Sequence, residues 1–136
     1  MRECYIRIYY FSRMDIAECR DYCLSFPGAT EGFPFDEQTL VFYVMGKMFC
    51  LTDVDAFDMV NVKCDPEKAV ELRELYEYVV PGYHMNKKHW NSIRMEYPVP
   101  DHLLKEWISD SYQLVASNLP KKDQARLKTN NTESCK

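Results

Sequence analysis

The chain has 136 residues, 46% hydrophobic and 28% charged, with a net charge of −4. That length suits one core and is too short for two comfortable ones, and the composition lies well away from that of disordered chains. No apolar run approaches the roughly 20 residues needed to cross a bilayer, and Glu3, Arg7 and Arg13 interrupt the stretch where a signal peptide would need its apolar region, so the expected setting is the cytoplasm, with no membrane partner.

In that setting the six cysteines, at 4, 19, 23, 50, 64 and 135, are expected to be reduced rather than joined in a disulfide framework. None is paired as C-x-x-C. They read as buried free thiols serving as small hydrophobes, against zinc or redox chemistry.

Along the chain, DIAECRDYCLSF (residues 15–26) places Ile16, Cys19, Cys23 and Phe26 on one stripe of an amphipathic helix that Pro27-Gly28 ends. GFPF then leads into TLVFYV (39–44) and MFCLT (48–52), two strand-like runs around Met45-Gly46-Lys47, which is a hairpin pattern. FDMVNVKC alternates, with Met59, Asn61 and Lys63 on one side and Val60, Val62 and Cys64 on the other. Three adjacent antiparallel strands are predicted. Asp65-Pro66-Glu67 starts a second helix, reaching about Tyr76, with a capping carboxylate, a proline at the first position and an acid near the positive end of the dipole. Pro98-Val99-Pro100-Asp101 begins a long helix to about Leu119, in which Leu104, Trp107, Ile108, Ser111 and Val115 keep a 3.6-residue rhythm. The end, from residue 123 to 136, has little to bury and is expected to be flexible. The predicted fold is an α+β two-layer sandwich, with helices packed on an antiparallel sheet of about five strands in the order α-β-β-β-β-α-β-α.

Charge singles out PGYHMNKKHWNSIRM, residues 81–95. Residues 81–94 carry +3 with no acid, and residues 121–136 also carry a net +3, in an otherwise acidic chain. As a strand, HWNSIRM turns Ile93 and Met95 to the core and Trp90, Ser92 and Arg94 to the opposite face. Four readings compete for the segment. His84 or His89 as a general base has no visible activating partner, only candidates such as Cys64 or Ser92. Metal binding would need more ligands than those two histidines, and the nearest carboxylates, Asp53, Asp55 and Asp58, sit where aspartates serve as turn and cap residues. Nucleic-acid binding would use the cations on phosphates and an exposed indole for stacking, although three cations give a salt slope of only about −2.7. The structural reading has Tyr83, His84 and Trp90 partly buried and the lysines solvated.

YCLSFPGATEGFPF, TLVFYVMGKMFCL, VNVKCDP and PGYHMNKKHWNSI, followed by SYQLVASNLPKK, together resemble the MmcQ/YjbR-like family over about residues 14–122. The resemblance implies a single domain over 14–122, similar to frataxin-like or secretion-chaperone-like folds, with a double-wing DNA-binding motif; together with the weighing of the residues above, the expectation is a non-enzymatic protein without metal or cofactor. One wing would be the hairpin at Met45-Gly46-Lys47 and the other the strand from His89 with its approach. The DNA contacts implied are Lys47, Lys87, Lys88 and Arg94, with Lys121 and Lys122 from the tail, Asn86 and Asn91 as polar readers or loop braces, and Trp90 as a stacking surface. Such binding would be weak and salt-dependent. The alternative is a protein-interaction or chaperone-like module using an exposed sheet face. The likeness begins near MDIAECRDYC, so Met14 is the expected start and residues 1–13 an extension dispensable for folding.

Overall fold

The computed structural model describes residues 14–134, with side chains described as far as Lys128; the expected extension, residues 1–13, lies outside them. Helix α1 is Ile16–Leu24, opened by a reciprocal capping box in which Asp15 accepts from the Glu18 N–H and Glu18 accepts from the Asp15 N–H. Four strands follow, β1 (Ala29–Gly32), β2 (Thr39–Val44), β3 (Lys47–Asp53) and β4 (Met59–Lys63). Met45 and Gly46, with φ of 49° and 79°, form the two-residue turn between β2 and β3. Two successive left-handed residues match the twist of a tight hairpin. Helix α2 (Pro66–Leu75) begins at Asp65, as predicted, with Pro66 in its first turn.

Beyond α2 lie β5 (Val79–Pro81), β6 (Trp90–Arg94), the long helix α3 (Asp101–Ser117) and α4 (Lys121–Ser134). The six strands lie in the order β1-β2-β3-β4-β6-β5, every neighbouring pair antiparallel. The expected α+β class is thus what is found, with one more strand than about five. The additional edge strand is β5, where the turn pair Pro81-Gly82 predicts a loop but Pro81 is the strand's last residue. Proline fits there because an edge strand needs no ladder donor on its outer side. The end of the chain, expected to have little to bury, carries a further helix. Residues from Lys121 are helical, and Leu127 is buried where the left-handed Gly28 leaves room that a Cβ would take.

One face of the sheet carries the main core. Phe42, Val44, Val60, Val62, Ile93 and Met95 pack there with Leu104, Trp107, Ile108, Tyr112 and Val115 of α3. A bulge complicates the alternation in β3: Phe42 opposes Cys50 and Tyr43 opposes Met48, leaving Phe49 as an extra residue. Phe49 and Cys50 consequently both enter the main core, while Met48 and Leu51 belong to the other face. The buried Ser111 hydroxyl repairs the ladder at this point, donating to the Phe49 carbonyl (2.5 Å) and accepting from the Lys63 N–H (2.8 Å).

Candidate binding groove on the open sheet face

The opposite face has no described helix over it. Its central row runs Gly32, Val41, Leu51, Asn61, Ser92 and Val80 across all six strands. Val41, Leu51 and Trp90 are buried in a second, smaller apolar cluster that Tyr43, Met48 and Met85 cover. The alternation predicted for β6 holds, since Trp90, Ser92 and Arg94 do face away from the main core. The expected stacking surface does not exist: Trp90 is 7% exposed. The loop 82–89 folds back over the sheet and brings Met85 against the indole, so the second face is only partly wet.

Hydrogen bonds fix that loop. Gly82 donates to the Trp90 carbonyl (2.8 Å), Tyr83 N–H to Ser92 Oγ (2.8 Å), and Ser92 Oγ to Asn61 Oδ1. Asn86 Oδ1 accepts from the N–H groups of Lys88 (2.9 Å) and His89 (3.3 Å), so Asn86 braces the loop. From α2, Arg73 reaches in to Asn91 Oδ1 (2.7 Å) and to the carbonyls of Lys87 and Trp90. Asn91 is buried and also donates to the Ala69 carbonyl. It faces the helices and braces the loop from below. His84 sits within this loop at φ 59°, a conformation unfavourable for a residue with a Cβ, its ring 4.1 Å from that of Tyr83.

The cations singled out in the sequence are spread over several elements. Lys47 is exposed at the start of β3 and Lys88 is exposed in the loop. Lys87 donates its ammonium to the Gly82 carbonyl (3.1 Å) and so helps close the loop. Arg94 is held by Glu96 at 2.6 Å and lies over the Tyr97 ring, which leaves its guanidinium compensated rather than presented to a phosphate. Lys121 and Lys122 are exposed in the first turn of α4, where the helix dipole is positive and adds to their own charge.

What the sequence reading did not find is a groove between this loop and the 33–38 loop. It has a volume of about 460 Å³ and is lined by Phe35, Asp36, Leu51, Asp53, Asp58, Met59, Tyr83 and His84, among others. Phe35 is 64% and Tyr83 59% exposed, and Phe33 on the same loop is also exposed. The GFPF stretch had been read only as a lead into β2. Asp36 shapes one wall, its carboxylate accepting from the N–H groups of Gln38 (2.9 Å) and Thr39 (2.6 Å). Asp53 does the same for Asp55 and Ala56, as expected of turn aspartates. Among the described residues, the groove lining therefore carries three carboxylates and not one lysine or arginine.

The bonds from Thr39 and Gln38 hold Asp36 below its ordinary value of 3.8. A carboxylate depressed in the folded state contributes order above its unfolded value and loses that contribution as pH falls through its folded one. Amide exchange at Gln38 and Thr39 should therefore be slow near pH 6 relative to the intrinsic rate, and that protection should vanish once the medium is well below pH 3.8.

The arrangement defines a class: a two-layer α+β protein whose helices cover one sheet face and whose loops shape a groove on the other. The chain belongs to the YjbR family, whose model matches residues 24–114. It is 38% identical over 97 residues to YbdF of Escherichia coli O157:H7, covering 71% of this chain and 80% of that protein. It is 30% identical over 115 residues to YjbR of Escherichia coli K12, covering 84% and 98%. The crystal structure of Deinococcus radiodurans protein DR2400 superposes with a TM-score of 0.78 at 36% identity, over 85% of this chain and 89% of that one. A Pseudomonas syringae protein shares the fold at TM-score 0.63 and 23% identity, over 74% and 98%. Among the described residues, no helix is long and apolar enough to cross a membrane.

Proposed function

We propose that this YjbR-family chain is a non-enzymatic binding module that takes a basic, apolar segment of a partner protein into the groove on its open sheet face. One observation carries the reading: the groove joins exposed aromatic walls, Phe35 and Tyr83, to carboxylates at Asp36, Asp53 and Asp58, with no compensating lysine or arginine among its described lining residues. A lysine or arginine side chain gains there from both carboxylate and ring, because ring faces attract cations. The volume falls in the range typical of ligand sites. Among the described lining residues, the hydroxyls of Thr39 and Thr52 donate to Asp36 (3.2 Å) and to the Met59 carbonyl (2.8 Å) and not to His84, which supports a binding rather than a catalytic role.

The double-wing DNA reading draws less support from the same geometry. Its stacking residue is buried, Lys87 and Arg94 have partners, and the exposed lysines are divided among the start of β3 (Lys47), the loop 82–89 (Lys88) and α4 (Lys121 and Lys122). A duplex brought to the groove would also meet the three carboxylates, a repulsive match for phosphate.

The test is fluorescence anisotropy with a labelled extended peptide alternating arginine with phenylalanine and leucine. Saturable binding that weakens with salt is expected, with a loss of about tenfold or more, equivalent to roughly 1.4 kcal/mol, for Phe35→Ser and again for Asp58→Lys. Both positions are exposed, so neither change should unfold the chain. Random duplex DNA at about 50 mM salt should give no saturable signal. DNA binding that falls steeply with salt, beside peptide binding indifferent to both substitutions, would restore the double-wing reading.

A further inference from the structure

We propose that Cys19, Cys23 and Cys50 form a buried three-sulfur site for a soft monovalent metal ion, Cu(I). Their sulfur atoms all lie within 4.8 Å of one another, and each residue is 0% exposed. Three sulfurs at about 2.3 Å from one central ion would be roughly 4 Å apart, so small side-chain adjustments suffice to close the shell.

Two unrelated features of the chain bring the thiols together. Cys19 and Cys23 stand one turn apart on the buried side of α1, where residues four apart meet. Cys50 arrives from β3 through the bulge, because the extra residue at Phe49 lets two successive side chains, Phe49 and Cys50, enter the main core. Packing alone asks only for small apolar side chains there, and alanine or valine would meet that need without three polarisable sulfurs.

The donor set selects the ion. Thiolate and thiol ligands favour soft metals, and among the described residues no histidine or carboxylate joins the group. Zinc in structural sites takes four ligands, and among the described residues a trio sealed from solvent has no fourth side chain beside it. Cu(I) is satisfied by three soft donors.

The full chain, reduced and kept anaerobic, is titrated with Cu(I) against a coloured Cu(I) chelator. One equivalent should be withheld from the chelator, the melting temperature should rise, and X-ray absorption should report three sulfur neighbours at about 2.3 Å. A chain with Cys4, Cys64 and Cys135 replaced by serine should still withhold one equivalent, whereas Cys50→Val should withhold none. The absorption spectrum of the unmutated chain decides the matter even if Cys50→Val folds poorly. Failure of the unmutated chain to withhold copper would overturn the proposal. So would a four-coordinate spectrum, or binding that survives Cys50→Val and disappears when the other three cysteines are replaced.

Discussion

Replacing Trp90 with alanine should lower the unfolding free energy by about 3–5 kcal/mol, a large share of the 5–15 kcal/mol typical of a domain. The indole is almost sealed between Val41, Leu51 and Met85, and its removal leaves a cavity that the rigid ladder of β6 cannot collapse into. The loop should loosen at the same time, because Met85 loses its seat. The neighbouring Lys88→Ala should stay within about 0.5 kcal/mol, as expected of an exposed position away from special contacts. Urea denaturation of the two variants makes the comparison. A Trp90→Ala chain as stable as the parent would mean that the ring is not a packing element.

Ser111→Ala should cost about 3 kcal/mol even though it removes one oxygen atom. The hydroxyl serves the Phe49 carbonyl and the Lys63 N–H at once, and each buried polar group left unpaired costs roughly 1–3 kcal/mol. The loss concentrates at the bulge, so hydrogen exchange should accelerate at Phe49, Cys50 and Lys63 before it does in α2. Uniform acceleration across the sheet, or a stability change below about 1 kcal/mol, would show that water takes the place of the hydroxyl and that the helix does not pin the bulge.

Much of the architecture was legible because it rests on local chemistry. Asp65-Pro66 announces α2, the alternation of FDMVNVKC assigns β4 its faces, and Gly46 marks the hairpin. The errors share a cause, which is that they depend on segments distant in sequence. The alternation correctly set Trp90 away from the helices, and of the competing readings the structural one, with the ring partly buried, fits where the stacking one does not. The cover comes from a loop held by Arg73 and by the Asn61–Ser92 pair, contacts that no local pattern announces. Leu127 stands almost alone among polar residues, so α4 looked unanchored until Gly28 was seen to receive it. The bulge that delivers Cys50 breaks the two-residue period on which strand reading depends. As for the groove, the two phenylalanines of GFPF, separated by proline and followed by Asp36, did stand in plain view. Aromatics in a turn-rich stretch that no strand or helix period accounts for are the signal that was available.

The account depends on the open sheet face taking its ligand between Phe35 and Tyr83, and the amide spectrum of the isotopically labelled chain tests that most directly. Addition of the arginine-containing peptide should shift the amides of Phe35, Asp36, Leu51, Asp58, Tyr83 and His84, with duplex DNA at about 50 mM salt moving none. The contrary result is a spectrum in which DNA shifts Lys47, Lys88, Lys121 and Lys122 together while the peptide leaves the groove amides where they were.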